Sequence, residues 1–165
     1  MARRVALATA VSVCLSIGSF LSIAGPARAA TSRFHEATYR FTGRVDCGSF
    51  VDRYADRYWV TTRTFFFASG RPARTIEHVR HSSTERNSVT GLVLHQHDRY
   101  TIVTDLRNGT IRVAGGLFRI NRSGRGMVIH DVGRVVMDGY QNLVFTAGRH
   151  DVLGEDSTVF CRALA

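Results

Sequence analysis

The chain is 165 residues long and 44% hydrophobic, with 22 basic residues against 13 acids and a formal charge of +9. Every basic residue is an arginine, acids lie among them, and no block of five like charges occurs. That argues against a basic nucleic-acid-binding tail and predicts a solvated surface of mixed charge, for which anionic wall polymers, lipid headgroups or stray nucleic acid are the available polyanions.

Arg3 and Arg4, an apolar run from Val5 to Gly25 and the small-x-small sequence Ala27-Arg28-Ala29 form the pattern of a secretory signal peptide cleaved after Ala29. Residues 1–29 are expected to leave, and residues 30–165 to form a single β-rich domain, secreted and monomeric. It would touch a membrane only through the signal peptide before cleavage. Arg3-Arg4 raises twin-arginine export, which Val5-Ala6-Leu7 matches poorly. Cys14 departs with the leader, leaving Cys47 and Cys161. An even pair in an exported chain reads as a disulfide, worth about 4 to 5 kcal/mol in the chain-entropy model for so long a loop.

From Ala37 to Cys47, apolar residues alternate with polar ones, a period of two that predicts a strand with one inward face. The next stretch, SFVDRYADRYWV, fits a helical face and a strand equally well. From Trp59, WVTTRTFFF is a strand by propensity, ended by the turn ASGRP. Short strands are expected at RTIEHVRHS, LVLHQHD, RYTIVTDL, TIRVAG and GLFRI. Asn108-Gly109 predicts a hairpin with a type I′ turn, Gly115-Gly116 a bulge or sharp bend, and NRSGRG another turn. GEDSTVFCRALA ends the chain with a short helical turn that carries Cys161 back to Cys47. The fold class is all-β: a small antiparallel β-barrel or sandwich, lipocalin-like in size.

The stretch HDVGRVVMDGYQNLVFTAGRHD, His130 to Asp151, has a His-Asp pair at each end. Neighbours in a strand point to opposite faces, so neither dipeptide is a dyad by itself. A three-residue loop at Gly139-Tyr140-Gln141 sets Val135 opposite Phe145 and Asp131 opposite Arg149. A four-residue loop sets Asp131 against His150 and His130 against Asp151. The first keeps apolar residues paired, so the sequence predicts an ordinary hairpin with a cross-strand Asp131–Arg149 pair. His130, Asp131, Arg149, His150 and Asp151 are candidates either for function or for closing that hairpin.

No catalytic residue can be named, because G-x-S-x-G is absent and the disulfide takes both remaining thiols. His95 and His97 share a strand face, and His78 or His81 could add a third metal ligand, but H-x-H alone is a weak signal. Solvent-facing polar positions are the expectation, with no cofactor.

Cys47-Gly48, NSVTG at Asn87 to Gly91, DVGRVV at Asp131 to Val136, FTAGRHD at Phe145 to Asp151 and the terminal CRALA together resemble a family of uncharacterised secreted proteins of high-GC Gram-positive, actinobacterial origin. The resemblance implies a small secreted β-barrel or sandwich, favours strand over helix at residues 50–57, and marks Gly148, His150 and Asp151 as family positions without assigning them chemistry. The leading expectation is a non-enzymatic module for a small apolar ligand or a cell-envelope component, with no nucleic-acid partner. Tyr39, Phe41, Phe66, Phe118 and Phe145 would line its interior or fill its core. The alternative is an enzyme, either a barrel cyclase or isomerase, or a metal-assisted hydrolase using the clustered histidines.

Overall fold

A computed structural model describes residues 31–153 and 158–165; the signal peptide read at residues 1–29 lies outside the described residues. Seven strands follow one another: β1 (Ser32–Asp46), β2 (Val51–Phe66), β3 (Pro72–Asn87), β4 (Val93–Asp105), β5 (Thr110–Arg122), β6 (Gly126–Met137) and β7 (Leu143–Arg149), then helix α1 (Thr158–Leu164). Each strand pairs antiparallel with the next, so the sheet is a meander with β1 and β7 as its open edges. The all-β expectation holds, and the stretch that read as helix or strand is extended throughout β2.

The strands are longer than the sequence suggests. LVLHQHD and RYTIVTDL form the single strand β4, and TIRVAG and GLFRI the single strand β5. Gly115 (φ 133°) and Gly116 do mark a bulge, with the β5–β6 register shifting between Gly116 and Phe118. The Asn108-Gly109 hairpin forms with a different turn. Asp105 pairs with Thr110 across a four-residue loop, the Gly109 N–H donates to the Asp105 carbonyl at 2.8 Å, and Gly109 alone in the loop takes positive φ. Asn108 Oδ1 accepts the Thr110 N–H at 3.0 Å, an Asx-type contact that replaces the expected type I′ geometry.

The period of two gives the sheet an inner and an outer face. At one end of the inner face Phe50, Leu94, Ile120 and Ile129 pack with Val152 and with Val159 and Leu164 of α1. The Cys47–Cys161 disulfide, Cα–Cα 5.5 Å, ties α1 to the chain just after β1, as the cysteine pair predicts. Strand side chains meet the helix's terminal carbonyls: Asn87 Nδ2 donates to Leu164 O at 3.0 Å, and Arg122 to Ala163 O at 3.4 Å. Away from this end the inner face turns polar. Among the described residues nine polar or charged side chains are buried, as many as the apolar ones, so the interior is no apolar cup. No described helix is long and apolar enough to cross a membrane.

Candidate functional site

Four dipeptides in β2–β4, namely Asp52-Arg53, Asp56-Arg57, Glu85-Arg86 and Asp98-Arg99, put an acid directly before an arginine. Strand alternation sends each carboxylate to the inner face and each guanidinium to the outer one. Register then aligns like with like. On the inner face His81 lies between Tyr58 and Asp98, and Ser83 between Asp56 and Gln96. On the outer face Arg40 lies beside Arg57, Arg53 between Arg44 and Arg86, and Arg80 beside Arg99. The surface of mixed charge is therefore corrected for this part of the sheet: charges interleaved along the chain are sorted by face.

His81 is the centre of the inner cluster. Its Nδ1 lies 2.9 Å from Asp98 Oδ2, its Nε2 lies 3.4 Å from Asp56 Oδ1, and its ring stacks on Tyr58 at 4.1 Å. Asp98 also accepts the Arg119 backbone N–H at 2.8 Å and the Gln96 amide. Burial alone would lower the His81 pKa, but the hydrogen bonds and charges of Asp56 and Asp98 outweigh it and hold the pKa at about 9. With both ring nitrogens donating to carboxylates, His81 is an imidazolium with no free nitrogen to accept a proton. The arrangement is a clamp across β2, β3 and β4. Farther along β3, burial and the charges of Asp52, Asp56 and Asp98 raise Glu85 to about 8 against the opposing effect of His81. Burial likewise raises Asp52.

Glu85 and His81 both hold their protons more tightly in the folded chain than in the unfolded one. Folding stability should therefore fall with rising pH, from about 4.5 to 8 through Glu85 and from 6.5 to about 9 through His81. At about 1.4 kcal/mol per pKa unit, the loss is on the order of 5 kcal/mol through Glu85 and on the order of 3 kcal/mol through His81. Urea denaturation at stepped pH reads it directly. Glu85→Gln should flatten the lower part of the profile and His81→Gln the upper part, and a profile that rises from pH 5 to 9 would contradict the clamp.

The outer face is built differently. None of Arg40, Arg44, Arg53, Arg57, Arg80, Arg86 and Arg99 forms an ion pair among the described residues. Like charges directly across strands are unfavourable, and Glu36 and Asp46, the acids on the same face of β1, form no ion pair with these arginines. Trp59 stands within it, with the Arg57 and Arg80 guanidinium carbons 5.3 and 5.8 Å from its ring. Beside Trp59 is a depression of about 380 Å³ walled by Arg80, Ser82, His97, Arg99 and Arg119, with His81 and Asp98 also lining it. A smaller hollow of about 230 Å³ contains Asp105 and Arg107, whose charges already pair with each other.

The hairpin from His130 to Asp151 departs from its expected register. Met137 pairs with Leu143 as predicted, but a bulge between Val136 and Met137 displaces every later pair, so that Val136 meets Phe145 and Val132 meets Arg149. The cause lies in the turn. Asp138 Oδ1 accepts both the Tyr140 and Asn142 N–H groups, and Gln141 takes φ 64°, the left-handed residue that accompanies such a bulge. The Asp131–Arg149 pair is accordingly absent. Asp131, 1% exposed, contacts His150 Nδ1 at 2.6 Å; Arg149 makes two 2.9 Å bonds to Asp151; and Asp151 accepts the His130 backbone N–H at 2.9 Å. The five candidates do come together, in two sets of contacts that close the hairpin, Asp131 with His150 and Asp151 with Arg149 and the His130 backbone.

The other candidates disperse. His78 bonds Thr101 Oγ1 at 3.0 Å, while His95 lies across from Thr84 and His97 from Ser82. Four strand positions, roughly 13 Å, separate His78 from the row of His97. Among the described residues no group of three or more His, Cys, Asp or Glu could hold a metal ion, so the histidine site imagined for a hydrolase is not assembled. Tyr39 and Phe41 gather near Tyr58, Phe118 packs on Phe160, and Phe66 and Phe145 lie under Arg33 and Arg134. These aromatics are spread over the sheet and do not line one cavity.

The chain matches no family model, no curated protein and no solved structure. Its site must be read from its own side chains. The sequence reading includes His81 only as an optional metal ligand and omits Asp56, Glu85, Asp98 and the arginine face. The signal that could have found them is the acid-arginine dipeptide, repeated within segments that alternate as strands.

Proposed function

We propose that this chain is a secreted, disulfide-bonded β-domain that binds an anionic glycopolymer of the cell envelope, linked by phosphodiesters, through the arginine face of β1–β4. The observation that carries this reading is the set of unpaired arginines standing directly opposite one another across strands, an arrangement that a polyanion relieves. A strand face repeats its positions about every 4.8 Å across strands and about every 7 Å along them, which suits an extended, repeating anion. Trp59, the aromatic at the centre of the patch, lies against two guanidiniums and is not free to insert into a bilayer. Leu143, Val144 and Phe145 are exposed in β7, away from the patch, and on the patch's own face the exposed Phe34 stands across from Arg63. The polar inner face favours this reading over an apolar ligand held inside the sheet.

The chain has one tryptophan, so intrinsic fluorescence reports directly on the proposed face. Titration with poly(glycerol phosphate) should perturb it, with an affinity that falls as salt rises. The combined change Arg57→Gln, Arg80→Gln and Arg99→Gln should weaken binding at least about tenfold. Equal binding by that variant, or tighter binding of the native protein to duplex DNA or phosphatidylglycerol vesicles than to the polymer, would overturn the reading.

A further inference from the structure

We infer that the depression beside Trp59 is a discrete seat for one phosphate group of a phosphorylated sugar, an inference that rests on the polymer-binding reading of the same face. Its volume of about 380 Å³ lies within the usual range of small-molecule pockets. The seat originates in the β4–β5 irregularity, where the register shifts between Gln96 and Arg99. Asp98 reaches across this gap and accepts the Arg119 N–H, anchoring the backbone that carries the Arg119 side chain. Only the backbone side of Asp98 can border the depression, because its carboxylate is buried on the inner face against His81 and so does not confront an anion there.

Gly116 then decides where Arg119 goes. A Cβ at position 116 would lie 2.7 Å from Arg119 Cδ and 3.4 Å from its Cγ, so the bare glycine lets the arginine fold back over it. Gly116 is the cross-strand partner of Arg99, and Arg99 that of Arg80. Three guanidiniums are thereby collected along one row, with Ser82 and His97 as further donors. Guanidinium forks match phosphate oxygens in pairs, and Trp59 offers an apolar wall for the attached sugar ring.

The test separates a positioned seat from diffuse charge. Gly116→Ala keeps every charge, and Gly116 does not have positive φ, so the backbone accepts the substitution without strain. Glucose 1-phosphate, followed by tryptophan fluorescence, should bind the native protein and lose at least about fivefold in affinity in Gly116→Ala. Arg119→Gln should lose more, while poly(glycerol phosphate) binding by Gly116→Ala stays within about twofold of native. A thermal melt of each variant confirms that it is folded. Unchanged glucose 1-phosphate affinity in both variants, or inorganic phosphate bound as tightly as the sugar phosphate, would overturn the seat while leaving polymer binding standing. Loss of polymer binding by the native protein would instead overturn the underlying function.

Discussion

Replacing Asp98 with alanine should destabilise the fold by about 3 to 5 kcal/mol, the usual consequence of removing one partner from a buried ion pair. Asp98 is 2% exposed, and its two oxygens serve His81, Gln96 and the Arg119 backbone. Alanine would leave three donors without that acceptor, two of them buried and one of those charged, and each buried loss carries its own desolvation cost. Asp56 cannot compensate, since it already holds the other His81 nitrogen. Asp98→Asn is the informative control. It retains an oxygen for the Arg119 N–H but removes the charge opposite His81, so its loss should be smaller, and the fall in stability between pH 6.5 and 9 should shrink with it. Urea midpoints at pH 6 and pH 9 for the native protein and both variants would check this. An Asp98→Ala midpoint equal to the native one would show that the clamp contributes nothing to stability.

Reduction of the Cys47–Cys161 disulfide is the second large effect. The bond spans 114 positions, and closing a loop of that length stabilises a fold by about 4 to 5 kcal/mol in the chain-entropy model. A local effect should accompany that global one. α1 contributes Val159 and Leu164 to the apolar cluster, while Asn87 and Arg122 add one hydrogen bond each to its end. A seven-residue helix is too short to persist alone. With the bond reduced, α1 should detach before the sheet unfolds, exposing Phe50, Leu94, Ile120 and Ile129. Urea denaturation with and without reductant should show the lower midpoint, and a hydrophobic dye should bind the reduced protein before the β-sheet circular dichroism is lost. Simultaneous loss of both signals would mean that the helix and sheet form one cooperative unit.

Much of this architecture is legible in local pattern. Alternation from Ala37 to Cys47 marks β1, the Cys47 and Cys161 pair gives the disulfide, and Gly115-Gly116 marks the β5 bulge. What escapes is whatever depends on parity or on a distant strand. A count of arginines among acids suggests mixing, because counting ignores that Asp98 and Arg99 face opposite ways. The hairpin register turns on how the Asp138 side chain organises one turn; a single added bulge residue exchanges Arg149 for His150 as the partner of Asp131. The His81 clamp needs Asp98 directly across from His81 and Asp56 in the next inner-face row, so three strands must be aligned, and no local motif encodes that alignment.

The meander also governs the order of events during folding. Because every strand pairs only with its sequence neighbours, the sheet can form hairpin by hairpin, each hairpin closing from its turn out to pairings as distant as Ser32 with Phe65. Cys47, just after β1, must wait for the final segment of the chain to dock before it meets Cys161. Oxidation therefore seals a sheet that is already formed and takes no part in starting it.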